Sequence, residues 1–500
     1  MEEKLIQLTN LLNEIADLQA ISGLLNWDQL VNMPKGAAGD RSEQIATQEK
    51  LVHQKATSAE LGRLLEDLDG AMKGLEGDAD EARLVKVAKR LYEKQTKIPG
   101  DFVAEFARVS TEAQTIWEKA KSDARYTLFE PFLQRLIDLR RQYAGFFKPW
   151  EHVYDPLLDD FEPGMKTDEI QQIFNQLRPR QVELIKAIAE KEKVNKEFLC
   201  QSFQLDGQEQ FGRAVISDFG YDWQHGRQDK SAHPFTTSFG LNDVRITTRF
   251  DRNYLPTGLF ASLHECGHAL YELGIDKKFN RSPLADGASM AVHESQSRLW
   301  ENLIGRSWPF WRRYYPRLQE YFVSELGNVD SRAFYEAVNA VEPSLIRVEA
   351  DEATYNLHIM LRLELEIALM DGSLDAKDAP QAWDHKFNEY LGIFPPDDSK
   401  GILQDVHWSF GGFGYFPTYA LGNLISAQIW EVMGKDMPDL ESKISQAQFG
   451  DILEWLRENV HVHGAKFEPQ ELVKNITGSA ITPEPYIRYL EIKYSEIYHL

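Results

Sequence analysis

The sequence predicts a mainly helical protein that carries a small β-sheet. Apolar residues recur every three or four positions through most of its 500 residues, which is the spacing of a helix face, while one short segment alternates instead. The composition allows a large buried core, because 43% of the residues are hydrophobic and 11% are aromatic. No linker or low-complexity tract interrupts the chain, so residues 1–500 are expected to form a single domain.

The first helix is predicted over residues 4–24. Its apolar face is formed by five residues at three- and four-residue spacing: Leu5, Leu8, Leu12, Ile15 and Leu18. The same spacing predicts further helices near 41–66, 79–95, 101–120, 129–146, 167–192, 309–326, 353–371 and 446–460. Helices are therefore expected to dominate the chain.

The exception is the segment 243–250, which reads Asp-Val-Arg-Ile-Thr-Thr-Arg-Phe. Its alternating pattern has a period of two and predicts a β-strand. Two interpretations of this strand stay open. Its edge can pair with the backbone of an extended peptide, or the strand can belong to a small structural hairpin.

Charge and cysteine content exclude several classes of protein. The formal net charge is 55 − 78 = −23, which argues against binding to nucleic acids or to anionic membranes. No stretch has the apolar length of a membrane span, and the acidic N-terminus does not resemble a secretory signal. The chain has two cysteines, Cys200 and Cys266, too few for a disulfide framework. These features predict a soluble cytoplasmic enzyme.

The most informative motif is His-Glu-Cys-Gly-His at residues 264–268, inside a predicted helix. His264 and His268 lie one turn apart, so both imidazoles can reach a single Zn²⁺ at about 2.1 Å. Glu265 projects beside them, where it can take a proton from a water molecule on the metal. Cys266 points away from the histidine face, which argues against its being a nucleophile or ligand. The alternative is two surface histidines on an ordinary helix.

A catalytic zinc site needs a third protein ligand and an open position for water. Glu294, in the run His-Glu-Ser-Gln at 293–296, is the best candidate, because a second amphipathic helix is predicted to continue from it. The polar linker 274–287 is turn-rich enough to reverse the chain direction. Two histidines and a glutamate form the ligand set of thermolysin-type enzymes. A solvated helix carboxylate is the alternative interpretation of Glu294.

Further polar motifs stand in a fixed order around the histidine motif, and together they carry a family resemblance. Six runs are present: His-Pro-Phe (233–235), Asp-x-Arg-x-Thr (243–247), His-Glu-x-x-His (264–268), His-Glu-Ser-Gln (293–296), Ile-Arg-x-x-Ala-Asp (346–351) and Gly-x-x-Gln-Asp-x-His-Trp (401–408). This set closely resembles the carboxypeptidase Taq family of metallocarboxypeptidases. The resemblance extends to Asn-Trp-Asp-Gln at 26–29 and Pro-Glu-Pro-Tyr at 483–486, and so covers essentially the whole chain.

The resemblance implies an all-helical, two-lobed molecule with a deep substrate groove, similar to neurolysin and angiotensin-converting enzyme. It implies a homodimer that removes C-terminal amino acids from peptides with one zinc ion per chain, and activity with cobalt as well. It also implies donors to the oxyanion of the tetrahedral intermediate: His407 first, Tyr419 as the second and Tyr415 in reserve.

A carboxypeptidase must also recognise the free carboxylate of its substrate, and a buried carboxylate requires a paired cation. Arg347 is the first candidate, with Glu349 and Asp351 as the acids that fix its guanidinium. An arginine that merely bridges helices through Asp351 is an equal alternative. Arg245, on the predicted strand, is the second candidate for the carboxylate.

Two rival functions remain on sequence grounds. One is an endo-oligopeptidase or dipeptidase with the same metal site. The other is a non-enzymatic acidic helical scaffold whose zinc is structural. A structural site would be closed by a fourth ligand, commonly cysteine, and Cys266 is badly placed for that.

Overall fold

Helices make up most of the chain in the computed structural model, which describes residues 1–72 and 77–500. The first half contains α1 (Glu2–Val31), α2 (Ala38–Ala56), α3 (Ala59–Met72), α4 (Asp80–Thr96), α5 (Gly100–Ser122), α6 (Glu130–Gly145), α7 (Asp155–Leu158), α8 (Thr167–Ala189) and α9 (Leu205–Asp218). The second half contains α10 (Pro256–Gly274), α11 (Met290–Arg298), α12 (Trp308–Tyr321), α13 (Val323–Leu326), α14 (Ser331–Val338), α15 (Glu352–Asp371), α16 (Ala379–Leu391), α17 (Pro417–Asp436), α18 (Leu440–Ser445), α19 (Phe449–Asn459), α20 (Pro469–Thr477) and α21 (Glu484–Tyr498).

The predicted helices are present, but the one expected over 309–326 is divided at Phe322 into α12 and α13, and the one expected over 41–66 is two helices, α2 and α3. The break between α2 and α3 falls at Thr57 and Ser58. The Thr57 hydroxyl donates to the carbonyl of His53 at 2.7 Å, and the Ser58 hydroxyl accepts the amide of Leu61 at 3.3 Å. Ser58 therefore caps the start of α3, because such short hydroxyl side chains compete with the helix for its backbone groups.

Helix α17 was not among the predicted helices, and its burial explains why. Apolar or small buried residues occupy most of its circumference, from Ala420 through Leu421, Leu424 and Ile425 to Ile429. A helix that is buried on all sides shows no amphipathic stripe, so its periodicity is weak in the sequence.

The apolar interior is divided between a large core and smaller ones. The large core draws on helices from α5 to α21, including α10, α11, α15 and α17. A separate core lies within the four N-terminal helices α1 to α4, around Leu8, Leu12, Leu65 and Leu68. The functional motifs belong to elements of the large core.

The sheet has three strands: β1 (Gln228–Lys230), β2 (Thr236–Ser238) and β3 (Val244–Thr248). Their order is β1-β3-β2, with β1 parallel and β2 antiparallel to β3. The strand predicted over 243–250 is therefore the central one. The expectation that its edge is free to pair with a peptide is wrong, because β1 and β2 occupy both edges.

Two further features concern the apolar length of the helices and the state of the cysteines. Within the described part of the chain, no helix is both long and apolar enough to cross a membrane. Cys200 is exposed, Cys266 is buried, and the two thiols are unpaired. Burial raises the pKa of the Cys266 thiol.

Candidate active site

Two glycines allow α10, α11 and α17 to pack closely. A Cβ atom on Gly267 would lie 2.6 Å from the Cα atom of Ser297, and one on Gly422 would lie 2.5 Å from the Cγ atom of Glu294. Any side chain at these positions would push α11 away from its neighbours. Gly267, which lies between Cys266 and His268, thus allows Glu294 of α11 to come close to the two histidines.

His264, His268 and Glu294 lie together as the sequence predicts. The two Nε2 atoms are 3.2 Å apart, and each lies 3.7 Å from Oε2 of Glu294. A point equidistant from three atoms at these separations lies about 2.1 Å from each, which is the bond length of Zn²⁺ to nitrogen and oxygen ligands. The donor set therefore fits a zinc ion. It is the one such cluster of His, Cys, Asp and Glu side chains in residues 1–72 and 77–500.

Partners behind the predicted ligands, which the sequence did not reveal, hold His264 and Glu294. Nδ1 of His264 lies 2.9 Å from Oε2 of Glu301. Arg298 donates to Oε1 of Glu294 at 2.8 Å and to Oε2 of Glu301 at 3.1 Å. Burial alone would raise the pKa of Glu301, but Arg298 and His264 hold it well below its usual value. The Arg298 guanidinium thus holds both Glu294 and the Glu301 partner of His264 in position.

The spacing of these partners follows from their helix. Glu294, Arg298 and Glu301 are separated by four and three residues, so they share one face. A π-helical turn over Leu299–Ile304 continues α11 and carries Glu301. Such turns are concentrated at functional sites. The spacing was visible in the sequence, but the direction of the face was not.

His268 has a different partner. Its Nδ1 atom lies 2.6 Å from Nδ1 of His293, whose Nε2 lies 2.6 Å from Oε1 of Glu272. Burial lowers the pKa of His268 well below its usual value, and the neighbouring His293 and His264 lower it further. A neutral imidazole is the form that binds a metal ion.

Glu265 lies beside the cluster and is buried. Its Oε2 atom accepts a hydrogen bond of 2.7 Å from the Thr236 hydroxyl, which also lies 3.0 Å from the Glu265 carbonyl oxygen. Burial raises the pKa of Glu265, against the opposing effects of His264 and of the Thr236 hydrogen bond. The edge strand β2 thus orients this carboxylate, a contact between residues 29 positions apart.

His407, Tyr415 and Tyr419 also come together. Nε2 of His407 lies 3.4 Å from the Tyr419 hydroxyl, and the two tyrosine rings are 5.2 Å apart between centroids. Burial lowers the pKa of His407 to about 4, and the positive charges of Arg347 and Arg362 act in the same direction against that of Asp405. Burial also raises the pKa of Tyr415, to about 12. These side chains are therefore a neutral imidazole and protonated hydroxyls at neutral pH.

The loop that carries His407 and Tyr415 is anchored from behind by Glu366 of α15. This buried carboxyl group accepts hydrogen bonds from Nε1 of Trp408 at 2.7 Å, the amide of Gly414 at 2.9 Å and the Tyr154 hydroxyl at 2.5 Å. Burial raises its pKa to about 7.

Arg347 is buried, but its partners are not the acids expected from the sequence. Its Nε and Nη2 atoms donate to Oδ1 of Asp405 at 3.0 and 2.8 Å, and Nη1 donates to the Tyr355 hydroxyl at 3.0 Å. The expectation that Glu349 and Asp351 fix the Arg347 guanidinium is therefore wrong. Glu349 is exposed, and Asp351 instead accepts the amides at the start of α15 at 3.0 Å.

Arg245 is engaged elsewhere. It donates twice to Asp243 at 2.8 Å, and its guanidinium lies 4.4 Å from the ring of Trp27 and 4.9 Å from that of Phe239. The Arg245 guanidinium thus links Asp243, at the start of β3, to Trp27 of α1.

The comparison with known families agrees with this geometry. The sequence model of the carboxypeptidase Taq (M32) metallopeptidases matches residues 7–494. The chain belongs to this family. It is therefore a metallocarboxypeptidase, as the six motifs predict.

Relatives and solved structures cover nearly the full length of the chain. Thermostable carboxypeptidase 1 of Thermus thermophilus is 40% identical over 495 residues, which is 97% of each chain. Carboxypeptidase 1 of Bacillus subtilis is 38% identical over 98% of each. The crystal structure of an M32 carboxypeptidase from Deinococcus radiodurans superposes with a TM-score of 0.97 at 40% identity over 100% of each chain. A Pyrococcus furiosus carboxypeptidase structure gives 0.95 at 36% identity over 99% of each. The helical fold class is confirmed.

We predict that the three side chains of the cluster bind the metal, so removing one of them should release it. We expect Glu294→Ala or His264→Ala to weaken zinc binding by more than the 10- to 100-fold that is typical for loss of a partner behind a ligand. Cys266→Ser is the matched control, because Cys266 lies on the same helix and turns into the core. Metal content and chelator competition on the purified variants check this. Wild-type zinc affinity in Glu294→Ala would mean that the third ligand is a different residue.

Proposed function

We propose that this protein is a zinc-dependent carboxypeptidase that removes single amino acids from the free C-terminus of peptides. The observation that carries the proposal is the pairing of a three-ligand metal cluster with a buried arginine site that has an excess of positive charge. The cluster supports hydrolysis, and the arginine site supports recognition of a terminal carboxylate.

His264, His268 and Glu294 would hold the zinc ion. When bound, zinc supplies a Lewis acid and lowers the pKa of water towards neutrality. Glu265 takes the proton of the attacking water and passes it to the leaving amine nitrogen. The Thr236 hydroxyl occupies Oε2 of Glu265, which leaves Oε1 for the water.

The oxyanion that forms on the scissile carbonyl needs hydrogen-bond donors. Nδ1 of His407 is buried and without a partner in the described part of the chain. Buried N–H groups without a partner are rarer than buried acceptors without one, so the proton is assigned to Nε2, which faces Tyr419. Burial raises the pKa of Tyr419 well above its usual value, so its hydroxyl remains a donor.

These donors should affect turnover more than metal content. We expect His407→Ala and Tyr419→Phe each to lower kcat by about 10²- to 10³-fold, which is the typical effect of losing one oxyanion donor. Tyr415→Phe, on the neighbouring ring, is the comparison and should have a smaller effect. Steady-state kinetics with saturating zinc measure this. Rates within a few-fold of wild type in both variants would exclude the assignment, and a large loss in Tyr415→Phe alone would transfer it to Tyr415.

The charge balance around Arg347 supports a carboxylate-binding role. Asp405 is shared by two buried guanidiniums, with Oδ1 on Arg347 and Oδ2 on Arg362. Two cations and one anion leave a net charge of +1 in this triad, and desolvated charge is costly unless it is paired. The free carboxylate of a peptide would supply the missing negative charge. An endo-oligopeptidase has no such requirement.

Peptides with a free C-terminus are therefore the proposed substrates. A timed mass-spectrometric digest of a peptide mixture tests this directly. We expect ladders in which residues leave one at a time from the C-terminus. Internal fragments or released dipeptides would favour the endo-oligopeptidase or dipeptidase instead. A structural zinc scaffold would give no digestion, and among residues 1–72 and 77–500 the cluster has three ligands rather than four, which argues against it.

We further propose a cytoplasmic homodimer. The two unpaired cysteines suit a reducing compartment, and the acidic net charge of −23 argues against nucleic-acid or membrane partners. The family resemblance supports the dimer and supports activity with cobalt in place of zinc. Light scattering and metal replacement test these two points.

A further inference from the structure

We propose that His293 is a positioning residue which, backed by Glu272, sets the tautomer and the orientation of the metal-binding His268. His293 opens the motif that also contains Glu294, but it is not a member of the metal cluster. The inference deepens the proposed function, because it rests on the zinc site described above.

The hydrogen bonds that link His268, His293 and Glu272 permit one arrangement of protons. Nε2 of His268 faces the metal cluster and must present a lone pair, so the proton of this neutral imidazole lies on Nδ1. Nδ1 of His293, 2.6 Å away, must then accept. The proton of His293 therefore lies on Nε2, which donates to Oε1 of Glu272 at 2.6 Å. Each proton position follows from the preceding one.

The surroundings hold the His293 ring in place. A Cβ atom on Gly287 would lie 2.8 Å from Cδ2 of His293, so only glycine leaves space for the ring. The ring of Tyr271 packs against it with a centroid distance of 5.1 Å. The His293 and Glu272 side chains are 16% and 10% exposed, so water competes little for their hydrogen bond.

The two histidine ligands are thus supported in different ways. His264 contacts a carboxylate directly, through Glu301, and Arg298 neutralises that carboxylate. For His268 a neutral imidazole separates the ligand from Glu272. A partner behind a ligand fixes its tautomer and raises its basicity. The intervening His293 provides the first effect while it keeps the negative charge of Glu272 one ring further from the metal.

The test uses the full chain in its zinc and cobalt forms. His293→Phe removes the acceptor, and we expect it to weaken zinc affinity by about 10- to 100-fold in chelator competition. The visible d–d bands of the Co²⁺ form should change as well, because the ligand geometry is altered. His293→Asn places an acceptor oxygen near the position of Nδ1 and should recover most of the affinity. Cys266→Ser is the control, because Cys266 lies on the same helix as His268 but is buried in the core, and it should bind zinc like wild type.

The outcomes separate this inference from the proposed function. Wild-type protein that binds no zinc, or that releases no C-terminal residues, would contradict the proposed function. Wild type that does both, with a His293→Phe variant of unchanged affinity and unchanged cobalt bands, would overturn the role of His293 alone. Should His293→Phe not fold, Glu272→Ala provides the test, because it leaves Nε2 of His293 without its acceptor. Unchanged affinity in that variant would also overturn the role.

Discussion

Replacing Glu265 by glutamine should abolish nearly all peptide hydrolysis while zinc stays bound. The amide keeps the shape of the carboxylate but cannot take a proton, and Glu265 is not among the ligand atoms of the cluster. We expect kcat to fall by about 10³- to 10⁴-fold, at the upper end of what a positioned general base contributes. Metal content and kcat, measured on the same preparation, check both halves of this expectation.

Thr236→Val is the matched variant for this prediction. It removes the hydroxyl that donates to Glu265 but keeps a β-branched side chain at position 236, and the Glu265 carboxylate is unchanged. Its loss of kcat should be much smaller than that of Glu265→Gln. Substantial activity in Glu265→Gln would exclude Glu265 as the base, and loss of zinc from it would mean that Glu265 also binds the metal.

Amidating the C-terminus of a substrate should cost at least about 10²-fold in kcat/KM. An amidated C-terminus carries no negative charge, so it cannot neutralise the net charge of +1 in the triad of Arg347, Arg362 and Asp405. Leaving one member of a buried charge pair alone costs about 3 kcal/mol or more. Pairs of free-acid and amidated peptides of the same sequence measure the ratio. Equal rates for the two forms would contradict exopeptidase recognition.

Arg347→Ala should abolish most of this discrimination. The protein should still fold, because Asp405 keeps Arg362 as its partner at 2.6 Å. Arg347→Lys should behave similarly, since an ammonium group cannot reproduce the two-pronged contact of a guanidinium with a carboxylate. Arg245→Lys is the control and should retain the preference for free acids. Discrimination that survives in Arg347→Ala and disappears in Arg245→Lys would assign the carboxylate to Arg245.

The partner of Arg347 shows where sequence reasoning stops. Glu349 and Asp351 were expected because they are its neighbours in the chain, yet the guanidinium turns to Asp405, 58 positions away. Asp351 is used to cap α15 instead. Asp405 stands in a motif that the sequence singled out, so the signal was present, but its spacing carries no information about which distant arginine it meets.

The same limit applies to the hydrogen-bond partners of the metal cluster. Thr236 reaches Glu265 from β2, and Glu301 reaches His264 from a π-helical turn. These contacts depend on how α10 packs against the sheet and against α11, which Gly267 permits. Local spacing predicts a helix face, but it does not predict which other face will lie against it.

The sequence by itself determined what chain geometry imposes over a few residues. Four residues of helix bring His264 and His268 to one side, and this holds in any fold that keeps the helix. The helical class and the acidic charge also follow from composition and periodicity alone. Only the tertiary structure decided the central position of β3, the distance of Glu294 from the histidines and the charge excess at Arg347. Those features arise from side chains on elements distant in sequence, whose approach is set by close packing throughout the core.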